Sequence, residues 1–372
     1  MVELFFDLVF VFAVTQLSHA LLADLSPRHA FEVALLMIAV WWVWIYTSWV
    51  TNWLDPERTP VRLALFVMML AGLVMSASIP QAFGERGMAF AIAYAGLQVG
   101  RTLFFLACVP PQRAALRRNF LRILVWLVAA AVFWLAGGAL EGPARLACWT
   151  VALALELVSP ALYFRVPGLG RSSLEDWDVD GGHLSERCAL FVIIALGESL
   201  LVSGATFAAA AWTSDVVAAL GCALVGSLAM WWLYFHRGAD AGHRRIAHDA
   251  APGRYARLAY TYLHLPIVAG IIVAAVADEL VLAHPGHADT AAVITILGGP
   301  ALYLVGVAAF KWAVNSRPRP PLSHLAGLLL LAALAVPGFA HLASALVLAI
   351  AATAVLVLVA AWEELSLRAP AA

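Results

Sequence analysis

The sequence predicts an all-α, polytopic transmembrane helix bundle of about twelve spans. Composition is the first reason: 63% of the residues are hydrophobic and 12% are charged, against about 25% charged in soluble domains. The second is segmentation, with apolar runs near the 20-residue length of a membrane-crossing helix, separated by polar or Pro/Gly punctuation. The third is the distribution of basic residues, which alternates from loop to loop. A net charge of −1 gives no sign of a nucleic-acid surface. Cys108, Cys148, Cys188 and Cys222 sit in or beside apolar runs and read as packing residues, not as a disulfide framework or zinc cluster.

In chain order the first six spans fall at 3–22, 30–52, 61–81, 87–108, 120–138 and 144–164. The next six fall at 184–207, 213–235, 255–277, 291–313, 322–336 and 339–362. The eleventh is short and runs into Pro337-Gly338, so a re-entrant hairpin is its alternative. The first lacks a basic leader and a small-residue cleavage site, which argues against a removed signal peptide. Loops this short leave no room for a soluble domain.

With the amino terminus inside, eighteen of the 22 Lys and Arg residues fall in inner loops or at inner span ends. Arg28, Arg86 and Arg145 fall outside, and Arg101 lies within the fourth span. This bias follows the positive-inside rule and puts both termini in the cytoplasm, in a bacterial inner membrane.

The chain also resembles itself. Glu3 falls on Glu186, Trp41-Trp42 on Trp231-Trp232, and Arg62-Leu63-Ala64 on Arg257-Leu258-Ala259, with shifts of 183, 190 and 195. These anchors divide the chain into six-helix repeats at 1–170 and 171–372. Six spans per half keeps both halves in one orientation, as in transporters with parallel repeats. Compositional coincidence is the alternative.

Polar side chains inside these spans carry the functional signal, because a charge at the centre of a membrane helix costs roughly 2.5–3.5 kcal/mol even on an insertion scale. The first span holds Glu3 and Asp7 at its inner mouth, with Gln16 and His19 deeper. The seventh holds Glu186 and Arg187 at the mouth, then Glu198 and Ser199 about 18 Å further in. Glu198, Ser199, Gln16, His19, Arg101 and Asp7 are therefore the candidates for a solute or ion pathway, and Glu3, Glu186 and Arg187 for its inner mouth. Helix-terminus chemistry is the competing reading for Glu3 and Glu186. For Glu198 the competitor is an ion pair or hydrogen bond that holds helices together. Arg101 requires a carboxylate, with Glu198, Asp7 and Glu156 available.

Both Trp pairs read as packing or interface anchors, and His264, near Pro266, as a core or pore-lining residue. His236, His243 and His248 lie in a basic inner loop, while Asp278, Glu279, His284, His287 and Asp289 fall in an outer loop. Their spacing matches no familiar metal-ligand pattern, and no nucleophile elbow, HExxH, phosphate loop or dinucleotide fingerprint is present. No metal, cofactor or enzymatic activity is expected. The partners expected are membrane lipid and a small solute or ion, with a homo-oligomer compatible and nucleic acid not expected.

The runs ELFFDLVFVFAVTQLSH at 3–19 and HLSERCALFVIIALGESLL at 183–201, with the Trp-pair helices, resemble the bacterial low temperature requirement A family. The matching positions are Glu3, Phe5, Phe6, Asp7, Phe10, Gln16 and His19, then His183, Glu186, Arg187, Gly197, Glu198 and Ser199. The resemblance implies a multi-pass inner-membrane protein associated with growth in the cold. It also implies a basic, polar segment ahead of the first helix, which would here precede Met1. It supplies no substrate. Two functions follow as expectations: a secondary transporter or ion/proton-coupled permease with a midplane polar site, or a non-transporting membrane sensor or scaffold for cold or stress adaptation.

Overall fold

The computed structural model describes residues 2–173, 180–236, 256–315 and 319–368. The expected basic inner loop around His243, Arg244, Arg245 and His248, and Arg317 with it, lie outside the described residues. All regular structure among the described residues is helical apart from one isolated bridge, Val166 to Gly170.

Twelve helices among the described residues are long and apolar enough to cross a membrane. The first six are α1 (Val2–Ala23), α2 (Pro27–Thr51), α3 (Thr59–Ser78), α4 (Gly87–Cys108), α5 (Ala114–Ala139) and α6 (Gly142–Ala161). Then follow α7 (Gly181–Ala209), α8 (Ser214–Tyr234), α9 (His264–Ala283), α10 (Thr290–Val314), α11 (Leu322–Phe339) and α12 (Ala345–Arg368). A π-helical turn, Ala256–Tyr262, leads into α9.

Local chemistry sets several of the helix starts. Ser26 caps α2 by accepting from the His29 backbone N–H, and Pro27 fits the first turn, where its missing donor is not needed. In the same connection Asp24 accepts from the Ser26 backbone and hydroxyl, which hold its carboxyl below the usual value. Thr213 and Asp289 cap α8 and α10 in the same way as Ser26.

The eleventh segment is a span as expected, one helix of 18 residues and about 27 Å that runs three residues past the expected end at 336. One further boundary needs correction. The ninth continues to Ala283 instead of ending at 277, because the apolar run Leu280–Ala283 keeps it helical past Asp278 and Glu279. Asp278 thus lies within a membrane helix and not in an outer loop.

The chain divides into two compact units, with the boundary in the first turn of α7 between Leu184 and Ser185; Arg257 belongs to the first and Leu258 opens the rest of the second. In the first unit, α3, α4, α5 and α6 pack in succession, α1 packs on α2 and α3, and α2 lies against α4 and α6. Over its most apolar stretch α2 is 83% buried, with Trp41, Trp42 and Trp44 inside. Outward faces carry aliphatic residues such as Val67 and Leu70, as lipid contact requires.

In the second unit, α9, α10, α11 and α12 pack in succession, and α8 lies against α9, α10 and α12. The α9–α10 contact is the closest of these because glycines let the backbones meet. A Cβ on Gly270 would stand 2.4 Å from the Tyr303 backbone nitrogen, one on Gly299 2.7 Å from that of Ala274, and one on Gly306 2.7 Å from that of Ile267. Small residues commonly allow such approach in membranes. Gly270→Ala is expected to destabilise the protein by about 1–3 kcal/mol through overpacking. Gly298→Ala, whose Cβ would meet nothing within 4 Å, is expected to be neutral. Thermal unfolding of the two purified variants checks this, and equal melting temperatures would refute it.

Candidate functional site

Buried acids are the informative groups, and each is best sorted by what it touches. At the start of α1 Glu3 accepts from His183 Nε2 at 3.1 Å. His183 sits in the first turn of α7, where Asp180 caps its backbone N–H. Asn52 closes the cluster, exchanging two hydrogen bonds with the Asp180 backbone. The mouth residue Glu3 is therefore tied to His183 in the first turn of α7. Glu186 is exposed and lies in the second turn of α7, past the first-turn position that the helix-terminus reading requires, while Arg187 is buried.

Deeper in α1, Asp7 is fully buried and accepts from Trp44 Nε1 at 2.8 Å. The four-residue spacing from Glu3 keeps both acids on one side of the helix. Gln16 is half-buried and His19 exposed. These two pathway candidates join no polar cluster among the described residues of their own unit.

The densest network of the first unit centres on Glu156 of α6, which the sequence offered only as a counter-charge. It accepts from Tyr94 Oη at 2.8 Å, Gln98 Nε2 at 2.8 Å and Trp134 Nε1 at 2.9 Å, joining α4, α5 and α6. Among the described residues, Arg101 does not reach a carboxylate directly. Its guanidinium donates to the Val43 carbonyl, Thr47 Oγ1 and Gln98 Oε1, the last at 2.6 Å. The expected ion pair is thus replaced by a relay in which the Gln98 amide accepts from Arg101 and donates to Glu156. Gln98 lies one turn from Arg101, so the short amide intercepts the charge.

The second unit is arranged differently. Ser199 of α7 is buried, and its hydroxyl lies 3.4 Å from Ser227 Oγ on α8 and 3.4 Å from Asp278 Oδ2 on α9. Asp278 lines a cavity of about 30 Å³ together with Thr353 of α12 and Ile296 and Pro300 of α10. That volume holds one or two water molecules. Glu198, the residue before Ser199, is 3% exposed and makes no hydrogen bond among the described residues. One helical step separates the two side chains by about 100°, so Ser199 faces Asp278 and Glu198 does not.

Two further buried polar groups, Lys311 and His264, are paired. Lys311 donates to Glu363 at 2.6 Å and 2.7 Å, linking α10 to α12. His264 is a satisfied core residue, its Nδ1–H donating to the Ala259 carbonyl and its Nε2 accepting from Tyr234 Oη at 2.8 Å. Trp41 and Trp42 are buried packing residues, whereas Trp231 and Trp232 are partly exposed and stack on Phe235 and His236.

Sequence reasoning named Glu198 and Ser199 as pathway candidates, of which Ser199 adjoins Asp278, and did not name Asp278, Ser227 or Thr353 as such. The available signal was the four apolar residues that follow Glu279, which extend the ninth span past Asp278.

Comparison with known proteins identifies the chain's relatives. The uncharacterized protein RA0937 of Rhizobium meliloti (strain 1021) is 42% identical over 369 residues, which cover 98% of this chain and 89% of that protein. No solved structure matches. The family model of the bacterial low temperature requirement A protein (LtrA) matches residues 1–361. Together with the multi-helix membrane fold and the motif helices α1 and α7, this match establishes that the chain belongs to the bacterial low temperature requirement A family.

Proposed function

We propose that this protein is an ion-coupled secondary transporter of the bacterial inner membrane, with both termini cytoplasmic and no enzymatic activity. One observation carries the reading: in the second unit, two acids within membrane helices have no cationic partner among the described residues. Asp278 has a single long contact to Ser199 and faces a cavity, and Glu198 has no hydrogen bond. Glu3, Asp7, Glu156 and Glu363 are all held by donors at 3.1 Å or less. Intramembrane acids left available in this way are suited to take and release an ion or proton.

The parallel-repeat reading has support within each unit. The helices paired in the first unit as α2–α4, α2–α6, α3–α4, α4–α5 and α5–α6 correspond, six helices on, to α8–α10, α8–α12, α9–α10, α10–α11 and α11–α12, which pair in the second. Repeats of this kind are common among transporters.

Solid-supported-membrane electrophysiology on reconstituted wild type and Glu198→Gln, across a solute panel at two pH values, tests the proposal. A pH-dependent current that Glu198→Gln loses is expected. A folded wild type with neither current nor solute flux over the panel would overturn it.

The hydrogen-bonded network around Glu156 favours a second reading, a non-transporting sensor or scaffold in cold adaptation whose buried charges fix helix packing. On that reading Glu198→Gln leaves growth in the cold intact.

A further inference from the structure

We propose that the second unit holds a binding site for a single monovalent cation, Na⁺, built on Asp278; this deepens the transport reading, on which its coupling role rests. Four oxygen sources lie around Asp278, of which Ser199 stands beside its carboxylate but outside the cavity lining. Asp278 and Thr353 both line one cavity, and Thr353 Oγ1, which also lies 3.2 Å from Cys222 Sγ, keeps lone-pair capacity for a further partner. Ser199 Oγ reaches Asp278 Oδ2 and lies beside Ser227 Oγ, each at 3.4 Å, too long for a strong hydrogen bond and open to an added ligand.

The fourth source is a backbone carbonyl. Pro300 stands inside α10 and has no N–H, so the carbonyl of Ile296, four residues earlier, lacks its usual helical donor. Ile296 and Pro300 both line the cavity that holds Asp278. Carbonyls freed by an interrupted helix, with a carboxylate and hydroxyls, supply the hard oxygen ligands that bind Na⁺ in membrane transporters.

Charge and size select the ion. One carboxylate among neutral oxygens balances one positive charge, whereas divalent sites gather several carboxylates. A cavity of about 30 Å³ takes a small cation with one water, not a large organic cation. Depth is consistent too. Asp278 lies five residues from the end of α9, Ile296 six from the start of α10 and Thr353 eight from the start of α12. At 1.5 Å per residue all three sit about 8–12 Å from their helix ends.

Binding is measured on the purified full-length chain in detergent, with no gradient and no solute, by thermal unfolding in NaCl titrated against choline chloride at constant ionic strength. A saturable Na⁺-specific rise in melting temperature is expected, absent with KCl. Asp278→Asn is expected to lose it, and Thr353→Val to raise the half-saturating concentration about fivefold or more through loss of one hydroxyl ligand. Glu156→Gln, outside the site, is expected to titrate as wild type does. No Na⁺-specific rise in wild type would overturn the proposal, as would wild-type titration by Thr353→Val. The second criterion holds whether or not Asp278→Asn folds. Sodium binding without flux in liposomes would leave the site standing and remove the transport reading; flux with no sodium effect would do the reverse.

Discussion

Glu156→Leu is expected to be the most destabilising single substitution in the first unit, costing about 3 kcal/mol or more. Leucine matches the apolar surroundings but leaves Tyr94 Oη, Gln98 Nε2 and Trp134 Nε1 without their acceptor. Each buried donor orphaned in this way costs about 1–3 kcal/mol. The loss also spreads to Arg101, because Gln98 is held between that guanidinium and the carboxylate. Against a total stability of about 5–15 kcal/mol, such a change removes a large share. Glu156→Gln keeps one oxygen acceptor and is expected to lose about half as much. Equilibrium unfolding in mixed micelles checks the order wild type, Gln, Leu. A leucine variant as stable as wild type would show that the network does not hold α4, α5 and α6 together.

Asp278→Asn is expected to act on function instead. Asparagine has nearly the same shape, and its amide oxygen still accepts from Ser199, so that contact is retained. What disappears is the negative charge beside the cavity. Loss of a charged ligand weakens ion affinity roughly tenfold to a hundredfold, and coupled flux falls with it. Uptake by proteoliposomes under an imposed ion gradient measures the loss, and circular dichroism with thermal unfolding shows that the fold is kept. Uptake at the wild-type rate by a folded Asp278→Asn protein would remove Asp278 from the pathway.

Much of this was legible in the residues. Span number and order followed from hydropathy, since a helix is the way an isolated apolar segment satisfies its backbone in lipid. Glu198 and Ser199 stood out as polar residues in an aliphatic helix, and both are buried. Asp278 was hidden because Glu279 follows it and a pair of adjacent acids looks like a helix end. Only the continuation of α9 through Leu280 and Val281 shows otherwise. The partner of Arg101 was hidden for another reason: hydropathy weighs residues one at a time and cannot foresee a glutamine bridging two charges. Glu156 was visible as a lone acid in its span, but its three donors come from α4 and α5, far away in sequence.

The division of labour between the two units is the central claim, and currents recorded in parallel test it most directly. Wild type, Asp278→Asn and Glu156→Gln are reconstituted at equal amounts of folded protein and assayed by solid-supported-membrane electrophysiology. The account predicts that Asp278→Asn loses the current while Glu156→Gln keeps it, with its defect confined to stability. A current that survives in Asp278→Asn and disappears in Glu156→Gln would contradict it.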